Sequence, residues 1–182
     1  FKRSFKEKSG ERFEYQSGST QLLGLAVRKA VGQNLANYLS EKFWIPLGME
    51  HNAFWSTDES GMEKTFCCIH ATSRDFAKLG QLFLNDGKHN GQQLLNLDFI
   101  NEMRNPTQNS EEIYGMGFWI NYDNPIKHYY FLGLQGQYII MIPEHKMVIV
   151  RTGSYNNLPK TDRGRPDQVK FLVEETIKTF AH

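Results

Sequence analysis

The residues best suited to chemistry in this sequence are one tyrosine and one segment that contains a glycine. Tyr15 lies in the run Tyr15-Gln16-Ser17, just ahead of a predicted helix. A phenol titrates near ~10 in water, so Tyr15 could act as a base or proton relay only beside a cation that lowers its pKa. Gly136, in the run Leu134-Gln135-Gly136-Gln137, has no Cβ, so its backbone could lie close to a bound group.

Each of these residues also has a plain structural interpretation. Tyr15 could be an aromatic side chain that packs on the first turns of the helix, because tyrosines are commonly half-buried. Ser17 could be the helix cap. The side chains of Gln135 and Gln137 could be ordinary polar groups of a strand. The residues alone therefore leave a catalytic and a structural role open.

The cysteines and histidines do not indicate a metal site. The two cysteines are the adjacent pair Cys67-Cys68 in an apolar stretch. Neighbouring side chains in an extended chain point to opposite faces, so we interpret the pair as small core residues and not as a disulfide. None of the six histidines has a metal-ligand spacing to a cysteine or to another histidine. We expect no metal and no other cofactor.

The charge and composition indicate a globular domain and argue against two classes of partner. The 182 residues are 40% apolar, and 21 basic residues balance 20 acidic ones to a net charge of +1. Such a balance provides no field for phosphate backbones or anionic lipid, so nucleic acid and membrane surfaces are not expected partners. No apolar run approaches the ~20 residues of a membrane-spanning helix. The charged first eight residues are unlike a signal peptide, so any targeting segment would lie upstream.

Helices are predicted over residues 17–104. Apolar residues spaced three and four apart predict a helix that Ser17 or Ser19 caps and Gly32 ends. A second helix is predicted from Asn34 to Pro46, packed against the first as a hairpin. Residues 65–71 could form a short buried strand. The run 72–75 then resembles a capping box at the start of a third helix, with an Arg74–Asp75 ion pair, and a fourth helix is predicted over residues 97–104.

Strands are predicted over residues 114–152, and a last helix over residues 166–180. The strand segments are 114–120, 128–132, 137–142 and 147–151, and the four-residue connection 143–146 makes the last two an antiparallel hairpin. Two of these strands are apolar at successive positions, so helices should cover both faces of the sheet. The fold class is therefore α/β (α+β), an antiparallel sheet flanked by helices. The loop 156–165 is long enough to be a rim or lid.

Four phrases fall together in an order that resembles the serine β-lactamase and penicillin-binding-protein superfamily. They are ERFEYQS and QLLG (residues 11–17 and 21–24), IPLGM (45–49), ATSRDFAKLG (71–80) and GLQGQ (133–137). The phrases are weak apart and specific together. The branch most resembled is the class C β-lactamase-like one, with its esterases and aminohexanoate-oligomer hydrolases. The resemblance implies a β-lactamase/transpeptidase-like fold, of which residues 1–182 would be the C-terminal part of one domain.

The resemblance also implies roles for particular residues. In that superfamily the serine of a Ser-x-x-Lys motif attacks a carbonyl, the lysine takes its proton, and a tyrosine shares the acid and base work. Tyr15 occupies the tyrosine motif. The segment 134–136 occupies the place of the third motif, on an edge strand, so the backbone N–H of Gln137 is the candidate oxyanion donor. Ser17, Gln135 and Gly136 are the candidate substrate-binding residues.

The nucleophile itself is missing from this sequence. None of the lysines has a serine three residues before it. In the resembled superfamily this motif lies well upstream of the tyrosine motif, and only fourteen residues precede Tyr15 here. We therefore expect the nucleophile on an N-terminal segment outside this sequence, which could stay associated with it, and we expect this chain alone to be inactive. The resemblance slightly favours the cell envelope as the compartment.

Three functions remain open at this point. The first is a serine hydrolase that cleaves an ester, amide or peptide-like small molecule through an acyl-enzyme. The second is a non-catalytic relative that binds a ligand or partner. The third is a β-lactamase or D-alanyl peptidase, which is less favoured because neither Leu134 nor Gln135 offers the cation or hydroxyl that would hold a substrate carboxylate. Ser17 also replaces the asparagine usual there.

Overall fold

The structure is a computed structural model, and it describes residues 7–8, 10–155, 157 and 161–180. Five α-helices and ten short strands follow one another along these residues. The helices are α1 (Ser17–Val31), α2 (Leu35–Leu39), α3 (Ser73–Leu84), α4 (Leu97–Arg104) and α5 (Asp167–Phe180). The strands are β1 (Phe54–Trp55), β2 (Ile69–His70), β3 (Lys88–His89), β4 (Gln92–Gln93), β5 (Trp119–Asn121), β6 (His128–Gly133), β7 (Gln137–Ile142), β8 (Met147–Arg151), β9 (Thr161–Asp162) and β10 (Arg165–Pro166).

Helix α1 begins and ends where its apolar spacing and Gly32 predict. Gly32 adopts a left-handed backbone with φ of 70°, and its N–H donates to the Arg28 carbonyl at 3.1 Å. A residue without Cβ adopts this conformation at little steric cost, which explains the stop. The predicted cap is wrong, because the residue before the helix is Gln16 and no side chain caps the first turn. Ser17 is already the first helical residue.

The second helical segment is divided in two. Asn34 caps α2 by accepting a hydrogen bond from the Asn37 N–H at 2.8 Å, and the chain then continues as a π-helical turn over Ser40–Trp44. Glu63 from the following loop ties α1 to α2. Its carboxylate accepts from Arg28 at 3.3 Å and from the Ala36 N–H at 3.0 Å. The segment therefore stands as a helical pair that a buried carboxylate holds together.

The cysteine interpretation is wrong, because Cys67 and Cys68 form a disulfide with each other. They are half-buried in a bend and not in a buried strand, since only Ile69–His70 of the predicted segment is extended. Cys68 has a left-handed backbone with φ of 75°. The alternation of side chains that keeps neighbouring sulfurs apart holds only for an extended chain, and this turn removes it.

Helix α3 begins at the predicted cap, but its acidic residue has other partners. Thr72 accepts from the Asp75 N–H at 3.2 Å, and its hydroxyl donates to the Asp75 carboxylate at 2.8 Å. Asp75 is fully buried and also accepts from the Glu50 N–H at 2.7 Å. The expected ion pair with Arg74 is wrong, because Arg74 lies on the exposed face of the helix. Helix α4 has the predicted bounds, with Asn96 as its cap.

The main sheet is antiparallel, in the order β5-β6-β7-β8, and helices cover both faces as predicted. On one face α5 contributes Val169 and Val173 to a core with Tyr130 and Ile140. On the other face α3 contributes Phe83 to a core with Phe118 and Tyr129. Gly80 brings α3 close to the sheet, because a Cβ at this position would lie 2.7 Å from a methyl group of Val148.

Two predicted segments have shorter regular structure than expected. Of residues 114–120, only Trp119 and Ile120 belong to β5, because residues 115–117 form a tight turn in which the Gly115 N–H donates to Phe118. Of the predicted rim or lid, residues 156 and 158–160 lie outside the described residues. The remainder includes the hairpin of β9 and β10. All helices in the described part of the chain are too short or too polar to span a bilayer.

Candidate active site

Tyr15 lies two residues before the start of α1, in a segment without regular secondary structure, and its side chain has one packed and one open side. The Tyr15 ring centroid is 5.7 Å from that of Tyr114, edge-on, and 5.5 Å from that of Trp119. The side chain is nevertheless 54% exposed. A ring held by two aromatic neighbours with its remaining surface open can present a phenol to a ligand.

Tyr114 gives this group a second phenol. Burial, and then the neighbouring Tyr15, raises the pKa of Tyr114 to about 12. Tyr114 therefore stays protonated at neutral pH and can act as a donor but not as a base. Its ring also lies edge-on to Trp119, at 5.3 Å between centroids. The three rings contact one another pairwise, and we call them the aromatic triad.

The segment with the second set of candidate residues is a hairpin turn. Residues 134–136 connect β6 to β7, and Gln135 and Gly136 have left-handed backbones with φ of 62° and 85°. Gln137 is the first residue of β7, where it pairs with Gly133. Gln135 and Gln137 are exposed. The expectation of a strand at 134–136 is therefore not met, since the strand ends at Gly133.

Arg151 and Tyr155 occupy the space that Gly136 leaves open. A Cβ on Gly136 would overlap the Tyr155 ring and the Arg151 guanidinium. Arg151 donates to the carbonyl oxygens of Gly136 and, at 3.3 Å, of Ser154, while it lies 5.6 Å from the Tyr155 ring centroid. The close approach at Gly136 is thus made by protein groups. Sequence reasoning missed this cation because the contact joins residues fifteen positions apart and no local pattern reports it.

One edge of β6 runs from the aromatic triad towards the turn at residues 134–136. Strand β5 pairs with residues 128–130 of β6, and among the described residues no strand pairs with residues 131–133 on that side. Trp119, which contacts Tyr15, pairs with Tyr130 at the point where this coverage ends. At about 3.3 Å per residue, Gly133 lies roughly 10 Å further along β6. Tyr15 therefore contacts the β5 residue at one end of this edge, and the turn at 134–136 follows its other end.

Ser17 is a surface residue, and the two grooves described below lie away from the other candidate residues. Ser17 is exposed on the first turn of α1. An apolar groove of about 250 Å³ lies between α1, α2 and Trp55, and a more polar one lies between α2 and β4. Neither is lined by Tyr15 or by residues 135–137. Among the described residues, no cluster of three His, Cys, Asp or Glu side chains could hold a metal ion.

Comparisons with known proteins give one family and one architecture. A family model described as Beta-lactamase matches residues 2–174. The 6-aminohexanoate-dimer hydrolase of Paenarthrobacter ureafaciens is 25% identical over 88 residues, which is 48% of this chain and 22% of that protein. A Bacillus anthracis protein described as a 6-aminohexanoate-dimer hydrolase superposes with a TM-score of 0.80 at 31% identity, over 98% of this chain and 46% of the other.

Two more distant structures share the fold. A β-lactamase-like protein from Bacteroides dorei superposes with a TM-score of 0.71 at 17% identity, over 96% of this chain and 61% of its own. A Mycobacterium bovis β-lactamase gives 0.69 at 15% identity, over 93% and 66%. The chain thus spans about a fifth of the curated relative and under half of the most similar structure described above.

Proposed function

The chain belongs to the β-lactamase family, whose members are serine hydrolases, and from this premise we propose that it is the C-terminal part of an enzyme that cleaves an ester or amide through an acyl-enzyme. The observation that carries the proposal is the superposition of 98% of the chain on under half of a protein described as a 6-aminohexanoate-dimer hydrolase. The remaining half of such a protein has room for the Ser-x-x-Lys motif that this sequence lacks.

In the proposed reaction, the serine of that motif attacks the substrate carbonyl. Its proton passes through the lysine and the Tyr15 phenol to the leaving oxygen or nitrogen, and water then hydrolyses the ester by the reverse route. The backbone N–H of Gln137, with the N–H of the nucleophile, would hold the oxyanion. Ser17, Gln135 and Gly136 would line the acyl site. The half-exposed phenol beside β5 supports this assignment of Tyr15.

Two uncovered surfaces support an association with the segment that carries the nucleophile. Leu22, Leu23 and Leu25 of α1 are exposed large apolar residues. Strand β8 ends the described sheet, and its apolar residues are only half-buried. Helix faces and sheet edges of this kind are normally covered in a folded protein. We assign both surfaces to contacts with that segment.

The substrate we propose is an acyclic ester or amide, in keeping with the aminohexanoate-dimer hydrolases that the chain resembles. A β-lactam or D-alanyl peptide is a weaker candidate, because its carboxylate needs a cation at the turn 134–136. Arg151 does contact this turn, but its guanidinium already donates to the carbonyl oxygens of Gly136 and Ser154 and not to a substrate carboxylate.

The direct test uses the parent gene with its upstream region. Hydrolysis of nitrophenyl esters should occur, and Tyr15→Phe should lower kcat/KM by about 10²- to 10⁴-fold, the usual contribution of one acid or base. Tyr38→Phe, on α2, is the matched control and should leave the rate unchanged. An inert product with an intact Ser-x-x-Lys would defeat the proposal, as would full activity in Tyr15→Phe.

We keep one second candidate, a non-catalytic relative that binds an acyl ligand or a partner protein. A fluorophosphonate probe separates the two. Covalent labelling of a serine in the parent protein would select the hydrolase, while a parent sequence without the motif would select the binding protein.

A further inference from the structure

Trp119, the innermost member of the aromatic triad, is held from three directions. It is 7% exposed and lies in the core under α5. In the sheet it pairs with Tyr130, and Tyr114 packs edge-on against its ring. Its indole therefore has little freedom of its own, whereas Tyr15 lies outside α1 and is half-exposed.

The hairpin of β9 and β10 closes the fourth side of the indole. Its turn residues Arg163 and Gly164 have φ of 48° and 85°. A Cβ on Gly164 would lie 3.1 and 3.3 Å from two carbons of the six-membered ring of Trp119. The turn backbone therefore lies directly against the indole, and only glycine fits without displacing it.

Arg165 fixes this hairpin to the strand that carries Trp119. Its side chain is 6% exposed and donates to Asp123 at 2.7 and 2.9 Å and to Asp162 at 2.6 Å. It also donates to the carbonyl oxygen of Ile120, the residue after Trp119, at 3.2 Å. Bidentate pairs of this kind hold both position and orientation. The hairpin and β5 thus form one fixed body around the indole.

The geometry points to Trp119 as a positioning residue for Tyr15, with the β9–β10 hairpin keeping the indole in place. This rests on the proposed function, in which the Tyr15 phenol moves a proton. The rings of Tyr15 and Trp119 are tilted by 39° with their centroids 5.5 Å apart, within the separation of interacting aromatic pairs. The indole limits the ring orientations open to an otherwise exposed tyrosine, and the hydroxyl is held where a proton can be transferred.

The effect on the enzyme should fall on the rate and not on substrate binding. Trp119 is buried behind Tyr15 and does not itself face a ligand. Misplacement of a reacting group by about 1 Å can cost roughly 10²-fold in rate. We expect Trp119→Ala to lower kcat of the parent enzyme by about 10- to 100-fold with little change in KM, and Trp119→Phe, which restores a ring, to recover part of the loss.

A second variant tests the hairpin from a distance, and the chain contains its own control. Gly164→Ala presses a methyl group on the indole. Gly91→Ala places the same methyl group in the equivalent turn of β3 and β4, where Asn90 and Gly91 have φ of 48° and 79° and no atom lies within 4 Å of the new carbon. Gly164 and Gly91 have similar positive φ angles of 85° and 79°, so the two alanine variants should carry a similar backbone cost. Only Gly164→Ala should lower kcat at constant KM.

A fluorine label separates the positioning contact from the catalytic role. With 3-fluorotyrosine incorporated, the ¹⁹F signal that Tyr15→Phe removes is assigned to Tyr15. That signal should shift in Trp119→Ala and in Gly164→Ala, and stay in place in Gly91→Ala. An unmoved signal in Trp119→Ala would overturn the inference. A shifted signal together with full activity in Tyr15→Phe would keep the contact but overturn the proposed function and the role that rests on it.

Discussion

The sheet and helix α1 bury their apolar residues to very different extents. Every residue of β7 after Gln137 is buried, between α5 on one face and α3 on the other. In α1 only Gly24 is buried, and Leu22, Leu23 and Leu25 face outward. Because burial of apolar surface supplies most of the folding free energy, the sheet region can hold itself together and α1 depends on further contacts.

The sheet therefore forms a core within this chain, whereas α1 has an apolar face that would contact the proposed nucleophile-carrying segment. Tyr15 lies at the junction, since it precedes α1 and packs on β5. Tyr15 is therefore held by its contact with the sheet, while the neighbouring apolar face of α1 is exposed. Variants from the two regions test this difference.

The largest expected difference is between a deletion in the sheet and one on α1. Ile140→Ala removes a fully buried side chain from the middle of β7 and should lower the free energy of unfolding by about 2–5 kcal/mol. Leu23→Ala, at a side chain that is 63% exposed, should change it by less than about 0.5 kcal/mol. Urea unfolding of the two variants measures both. Equal costs would contradict the contrast, and a larger cost for Leu23→Ala in the parent protein would show that α1 is covered there.

A smaller effect is expected where α3 meets the sheet. Gly80→Ala introduces a carbon 2.7 Å from Val148 and 2.9 Å from Ile139, so α3 must move away from β7 and β8. Overpacking of this kind costs about 1–3 kcal/mol. Gln81→Ala, on the exposed face of the same helix, is the control. Thermal unfolding that is unchanged in Gly80→Ala would show that this interface is looser than its geometry indicates.

The smallest effect concerns a buried histidine of β6. His128 Nδ1 lies 2.7 Å from the Ile126 carbonyl oxygen, to which it can donate, and Nε2 lies 2.9 Å from Asn121 Nδ2, from which a neutral ring can accept. Burial lowers the pKa of His128 below its usual range. As the pH falls below ~6.5, the unfolded chain binds a proton that the fold resists, so stability decreases.

The loss that His128 causes between pH 7 and 6 should be under about 1 kcal/mol, the limit for one histidine. Urea unfolding at several pH values measures the slope, with His128→Gln as the comparison. The substitution lowers stability at every pH but should flatten the slope in this window. An unchanged slope in His128→Gln would assign the pH dependence to other groups.

Local patterns predicted the helices well because their causes are local. The spacing of apolar residues and a single glycine gave the bounds of α1, and the caps Asn34, Thr72 and Asn96 are each formed within four residues. The four strands of the sheet were also recognisable from their aromatic and β-branched runs. The four sequence phrases fall in the order found in a known superfamily, and this order predicted the fold class from the sequence alone.

The errors arose where the partner is distant in sequence or the backbone turns. Asp75 bonds to Glu50 and not to its neighbour Arg74, and Arg151 reaches Gly136 from another strand. The aromatic triad joins residues 15, 114 and 119, which no periodicity connects. The left-handed residues Cys68 and Gln135 turn the chain where an extended segment was expected. Whether Tyr15, Gln137 and the other candidate residues act on a substrate stays a prediction.

The disulfide between Cys67 and Cys68 differs from most disulfides in what it can restrain. A bond between sulfurs of adjacent residues closes a ring around a single peptide unit, so it joins no two distant parts of the chain. The entropy that a crosslink removes from the unfolded state grows with the length of the loop it encloses, and here that loop is minimal. The bond can therefore fix the local path of the backbone into β2 while the unfolded polypeptide keeps nearly all its dimensions.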